Sequence, residues 1–230
     1  KKFNYTSLNR IPVNGSRHYA VGQQRLPSVS TILSKTKSDE DKAALAAWIA
    51  RVGEKESERI KNAASANGTK MHSIIETYLK GRENLDLLET EEETGLAKKM
   101  ADKIISEGIQ GKVNEVHGVE CPIYYDSPKG WAGTADLVAT YESKLSICDF
   151  KQKNSIMKES YSSYHEYMIQ ISGYSLAHDK LFGSTITQGV ILLATTDLVF
   201  QIFRIDHEKL KEYQRKFLDR VEQYYSLINK

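Results

Sequence analysis

Cysteine is nearly absent from this chain. Cys121 and Cys148 are the only two among 230 residues. Two thiols make no disulfide framework, so a reducing compartment is expected. Both lie in strand-like runs, where a free thiol ordinarily serves as a small buried hydrophobe. They also cannot supply a four-cysteine iron–sulfur cluster. No window approaches the ~20 consecutive apolar residues of a membrane-spanning helix. The first residues lack the apolar core of a secretion signal. A cytoplasmic location is therefore expected. Phosphate-binding Walker loops, paired CxxC motifs and a defensible Ser/His/Asp arrangement are all missing. With four prolines and no low-complexity run, nothing marks a linker, and residues 1–230 are expected to form one domain.

What is present fits a globular protein with a sizeable core: 40% hydrophobic and 27% charged residues. The net charge of +2 hides an asymmetry. Residues 1–37 hold Lys1, Lys2, Arg10, Arg17, Arg25, Lys35 and Lys37 and no Asp or Glu. The rest of the chain carries 25 basic and 30 acidic residues. A basic leading arm interleaved with Phe3, Tyr5, His18 and Tyr19 has the make-up of a segment that holds a phosphate backbone and stacks bases. A solvated arm of chance composition is the plainer alternative.

The periodicity changes twice along the chain. Residues 1–26, with a turn signal at Asn14-Gly15, read as a hairpin or irregular arm. Residues 38–110 read as helical. Ser38 followed by Asp41 marks one start, Gly53 a break and Gly81 a stop. Trp48 is expected in the core. "LDLLETEEETG" reads as an acidic surface stretch, and 94–110 as a further helix. "VHGVECPIYYD", "GWAGTADLVATYE" and "KLSICDFKQK" then form an antiparallel meander. A helix over 159–182, strands in "TQGVILLATT" and "LVFQIFRID", and a closing amphipathic helix over 206–229 follow. The sheet core, with its helix, is thus expected over 111–205.

The chemistry lies in the meander. "GTADLVATYESKLSICDFKQ" places Asp136, Asp149 and Lys151 in runs built to be buried, where ionised groups need a partner or a metal. Side chains two apart on a strand share a face, so Asp149 and Lys151 point the same way and Phe150 the other. Asp136 sits on the neighbouring strand, about 5 Å away in a cross-strand pair. Two converging carboxylates repel unless a cation lies between them. With a backbone carbonyl they make a hard-oxygen site suited to Mg²⁺. A lysine beside it can orient water and stabilise charge on a phosphorane-like transition state. The plain alternative is an Asp–Lys ion link on a half-exposed sheet.

"GTADLVATYESKLSICDFKQKN" resembles motifs II and III of the PD-(D/E)XK nucleases. It is most similar to the RecB-like branch, which carries G-x-x-D, an apolar run and D-[FY]-K. That branch also has a helical histidine after a glycine and a downstream Q-x-x-x-Y. "GTKMHSIIETYL" and "QISGY" match these with Gly68, His72, Gln170 and Tyr174. "LPSVSTIL", "LAAWIARVG" and "HSIIETYL" look like the mitochondrial genome maintenance exonuclease group and its phage relatives. The resemblance implies an α/β (α+β), restriction-endonuclease-like core: a mixed sheet flanked by helices, with an α-rich N-terminal half. It implies Asp136, Asp149 and Lys151 as catalytic residues. It implies His72, Asp136, Asp149 and the Phe150 carbonyl as ligands of Mg²⁺ or Mn²⁺. Gln170 and Tyr174 would reach a DNA strand. The motif lysine is often followed by Thr in that branch, whereas Gln152 stands here, which leaves the contact behind the site open. The implied function is a metal-dependent deoxyribonuclease, an exonuclease on single-stranded DNA or free ends, acting in replication, repair or recombination. The rivals are a resecting enzyme of the lambda exonuclease type and a DNA-binding module that has lost catalysis. A CRISPR adaptation nuclease is disfavoured by the two cysteines.

Further candidates surround this set. Glu76 lies one helical turn beyond His72 and is a candidate ligand. Glu120 either points at the same cleft or faces solvent along its strand, and the solvent-facing reading is preferred. Lys153 and Lys158 follow the site and are weak candidates for phosphate contact. Tyr161, Tyr164 and Tyr167 either stack bases or pack the sheet.

Overall fold

The computed structural model describes residues 2–81 and 95–229. The acidic stretch around 85–94 lies outside them. Three short strands open the chain: β1 (Asn9–Val13), β2 (Ser16–Val21) and β3 (Gln24–Pro27), paired in that order. Asn14 and Gly15 both have positive φ, the geometry of a two-residue turn that matches the strand twist. The arm is therefore a small sheet rather than an irregular segment. It is also docked: Phe3, Tyr19 and Leu26 are buried.

Helices α1 (Val29–Lys35), α2 (Asp39–Val52) and α3 (Glu54–Leu79) follow. Ser28 and Ser38 cap the first two through their side chains, the latter accepting from Asp41 N at 3.1 Å. Gly53, at φ 87°, separates α2 from α3. No residue of α2 is buried, so Trp48 is not core. Its ring is half-covered, with the Lys61 ammonium 5.8 Å from its centroid. Among the described residues, α2 packs chiefly against the first half of α3, itself largely exposed, so its apolar period is little buried.

The expected helix over 94–110 is α4 (Leu96–Lys103) continued by a π-helical segment (Ile104–Ile109). Then β4 (Val113–Tyr125), β5 (Trp131–Tyr141) and β6 (Lys144–Lys153) form the antiparallel meander. Helix α5 (Ser162–Phe182) crosses over to β7 (Gln188–Thr195), which pairs parallel with β6. Strand β8 (Phe200–Ile205) and helix α6 (His207–Ile228) complete the described chain. The result is a five-stranded mixed sheet, order β4-β5-β6-β7-β8, with helices on both faces.

All eight residues of β7 are buried, which its run of Val190, Ile191, Leu192 and Leu193 requires of a central strand. One core, with Ile147, Ile191, Leu193, Met168 and Phe217, lies between the sheet and helices α1, α5 and α6. The other, with Met71, Ile75, Met100, Cys148 and Leu192, lies between the sheet and helices α3 and α4. The first and last helices are tied together. Arg220 of α6 donates to Thr36 Oγ1, to the Leu33 carbonyl and to Glu166, at 2.5, 2.7 and 2.6 Å.

Candidate active site

The sheet splits at one level. Pairing of β5 with β6 runs from Tyr141↔Lys144 to Leu137↔Cys148 and stops. Beyond that point Asp136 replaces the ladder: its Oδ2 accepts from the Phe150 amide at 2.8 Å. The edge that β5 loses is met by Ser28, which bridges Ala132 in parallel. The gap so formed opens into a cleft of 430 Å³.

Asp136, Asp149, Lys151, His72, Gln170, Tyr174, Glu76 and Glu120 all line this cleft. Phe150 is not part of the lining: its ring is buried on the opposite face, and its carbonyl is met by His72. Lys153 does not reach the cleft. Its ammonium donates to Ser163 Oγ at 2.8 Å and lies beside the Tyr167 ring. Tyr164 is buried in the core and Tyr161 is exposed away from the cleft lining.

His72 comes from α3 and bridges the two aspartate strands. Its Nε2 faces the Phe150 carbonyl at 3.0 Å. A carbonyl only accepts, so that nitrogen carries the proton. Nδ1 is left facing Asp136 Oδ2 at 3.5 Å. Burial lowers the His72 pKa, opposed by the Asp149 charge, so the ring is neutral at pH 7 and Nδ1 offers a lone pair. A lone pair set against a carboxylate oxygen is a place for a proton or a cation. Burial, and then the charge of Asp149, push the Asp136 carboxyl well above the usual range. A divalent cation reverses that logic.

Asp149 is 2% exposed. Its Oδ2 is paired with the Lys151 ammonium but lacks a well-aligned hydrogen bond. For Lys151, burial works to lower the pKa, yet Asp149 and Asp136 outweigh it and raise it. The lysine is therefore charged. Its ammonium also lies 5.0 Å from the centroid of the Tyr167 ring. The donor set of imidazole nitrogen and carboxylate oxygens suits Mg²⁺ or Mn²⁺.

Of the two placements expected for Glu120, the preferred solvent-facing one gives way to the cleft, because its backbone is left-handed at φ 50° and reverses the strand's alternation. Burial, and then the Glu76 charge, raise its pKa, against the pull of Arg10. One donor atom each from His72, Glu120 and Asp136 lie within 4.8 Å of one another. Glu76 lines the cleft but is ion-paired with Lys80.

Two motif details acquire reasons. Gln170 Nε2 donates to the Tyr174 hydroxyl at 3.1 Å across one turn of α5. A Cβ on Gly133 would stand 2.6 Å from Tyr174 Cε1, so the glycine of G-x-x-D makes room for this tyrosine. Gln152 donates to the Ala64 carbonyl of α3. A Cβ on Gly68 would lie 3.1 Å from that amide nitrogen. Ala64, Gly68 and His72 are four apart on one helix stripe. Gln152 thus seats α3, and with it His72, against β6.

The sequence did not announce that Tyr19, Ser28, Ser30 and Thr134 share the cleft wall with Arg10 and Arg17. Pairing of Arg10 with Tyr19 and of Pro12 with Arg17 puts both arginines on the cleft side of the arm. Arg25 pairs with Ala20, one residue out of phase, and faces away.

The fold is shared with a solved structure of a candidate exonuclease from Eubacterium rectale. The TM-score is 0.51 and the identity 17%, over 72% of this chain and 65% of that one. This chain thus spans less than two thirds of that protein, and the likeness is one of fold. The solved structure of SSO0001 aligns at TM-score 0.32 and 11% identity, over 67% of this chain and 70% of that one, which carries no argument. No family profile and no curated protein matches the sequence.

Proposed function

We propose that the chain is a metal-dependent deoxyribonuclease of the RecB-like PD-(D/E)XK kind. It would act as an exonuclease on single-stranded DNA or free ends. A fold alone hosts many chemistries, so the site has to carry the reading. The observation that carries it is the meeting of Asp136, Asp149, Lys151 and His72 where β5 parts from β6. The likeness of fold to a candidate exonuclease supports it.

In this reading His72 Nδ1, Asp136 and Asp149 hold Mg²⁺ or Mn²⁺, with the Phe150 carbonyl beside them. The imidazole tilts the preference towards Mn²⁺. When bound, the cation supplies Lewis-acid polarisation of a phosphoryl oxygen. Lys151, kept protonated by its carboxylates, orients the attacking water rather than taking its proton. It also meets the charge that grows on the phosphate in the transition state. Gln170 and Tyr174 offer an amide and a phenol to the strand being cut. Arg10 and Arg17 neutralise backbone phosphates from the opposite wall.

Digestion of end-labelled DNA tests this. Linear single strands should be degraded with Mn²⁺ or Mg²⁺, circular single strands should survive, and chelation should abolish the activity. Cleavage that persists in excess EDTA sinks the metal-dependent reading. Equal attack on circles replaces the exonuclease with an endonuclease. A strong preference for duplex ends favours the resecting alternative.

A further inference from the structure

Five non-glycine residues among those described have positive φ. Asn14, Glu142, Ser143 and Leu198 lie in connections between strands. Glu120 lies inside β4, at φ 50°. Strand geometry needs negative φ, and an L-residue is held in the left-handed region only when its surroundings enforce it.

The enforced distortion has a visible effect. Val119 and Cys121 are two apart and should share a face. Instead Val119 packs on the α3/α4 side and Cys121 on the α5 side. The partner strand repeats the inversion: Leu137 packs on the first side and Ala135 on the second. Val119 pairs with Leu137 and Cys121 with Ala135. Glu120 and Asp136 therefore confront each other at the level where both strands change phase. This is also the level at which β6 leaves β5. The double inversion brings Glu120 to within ligand reach of His72 and Asp136. A further carboxylate lies in the same cleft: Asp149 is buried there with its Oδ2 against the Lys151 ammonium.

We propose that Glu120 is a ligand of the divalent cation, together with His72 and Asp136, and that its left-handed backbone is the distortion by which the fold delivers that carboxylate. The inference rests on the metal-dependent reading above and adds to Asp149 rather than replacing it. Glu76, the other glutamate in reach of His72 by helix spacing, is held by Lys80 and is not part of the set.

Calorimetric titration of Mn²⁺ into the chelator-stripped protein tests this, with Glu120→Gln and Glu120→Gly beside the wild type. Thermal unfolding of each in EDTA accompanies it. Glutamine keeps the size and removes the charge. Glycine removes the side chain and accepts the left-handed backbone freely. Both variants should bind Mn²⁺ at least about tenfold more weakly, the scale on which even indirect disturbance of a metal site is felt. In EDTA the glycine variant should melt above the glutamine variant. Wild-type Mn²⁺ affinity in both variants overturns the role of Glu120 and leaves the metal-dependent reading standing. Equal melting of the two variants overturns the claim that the backbone is strained. A wild type that binds no Mn²⁺ overturns the metal-dependent reading and this inference with it.

Discussion

Lys151 and Asp149 are a buried ion pair, and such pairs are unforgiving when one member is removed. Lys151→Ala should cut turnover by a factor on the order of 10² or more, as the loss of a transition-state contact does. It should also strand the Asp149 charge in a site that is 2% exposed. Removing one partner of a buried pair costs about 3–5 kcal/mol. In EDTA the variant should therefore melt well below the wild type, and Mn²⁺ should raise its melting temperature by more than it raises the wild type's. Single-turnover rates and melting curves with and without Mn²⁺ check both halves. Unchanged melting in EDTA would mean that solvent reaches Asp149. At this scale the sequence was most readable where a period fixes direction. Strand alternation placed Asp149 with Lys151, and helix spacing placed Gln170 with Tyr174. Lys153 shares the parity of Lys151, but Ser163 captures it, and no pattern within β6 reveals a partner from α5. For Glu120 the sequence left cleft and solvent both open, because nothing in it marks the left-handed backbone that decides between them.

Helices and strands meet in the cleft with little clearance, and glycines set that clearance. Gly133→Ala would drive a methyl group into the Tyr174 ring, 2.6 Å from Cε1. The ring is buried and bonded to Gln170, so it cannot simply swing aside. Overpacking of this kind costs about 1–3 kcal/mol. Chemical denaturation of the variant should show that loss, and single-strand binding should weaken as Tyr174 is displaced. A variant of full stability would show that α5 yields easily. Most elements were legible because their punctuation is explicit: Asn14-Gly15, Ser38, Gly53 and Gly81. The π-helical segment over Ile104–Ile109 was not, because nothing in its residues marks a wider turn, which answers to packing. There Gly108 lies under Phe200, and its carbonyl accepts from the Tyr141 hydroxyl at 2.6 Å. The exposure of α2 was equally hidden. An apolar stripe states that something should cover it and does not say how much.

Across the whole molecule, the leading arm matters most. Its basic character was plain in the composition, but its docking over the cleft depends on contacts more than a hundred residues away. Because Arg10 and Arg17 face the cleft and Arg25 does not, their contributions to DNA binding should separate. Each phosphate neutralised on a single strand adds about 0.7 to the slope of log K against log salt. Arg10→Gln with Arg17→Gln should make the slope shallower by about 1.4, and Arg25→Gln should leave it unchanged. A slope that responds equally to Arg25 would move the strand out of the cleft. The arm is anchored where Phe3 and Tyr5 pack on His178, with the Tyr5 hydroxyl 2.9 Å from Nε2. Burial first, and then the charge of His117, push the His178 pKa down from 6.5 to about 4. Between those values the unfolded chain binds a proton that the native ring refuses. Stability from this site is therefore complete above pH 6.5 and is lost as pH falls towards 4. Denaturation midpoints measured between pH 7 and 4 should show that slope, and His178→Gln should flatten it.

Arg220 carries a consequence for how the protein comes into being. It lies on α6, which is made after every other described element, yet it grips Thr36 and Leu33 at the end of α1. Tyr224, on the same helix, reaches His18 of the arm at 3.4 Å. The residues that would hold the cation emerge from the ribosome well before this clasp can form. Synthesis order thus delays the walled cleft until α6 has been made, a long-range closure of the kind that folds late. Until then the growing chain holds Asp136, Asp149 and Lys151 without the wall that completes their cleft.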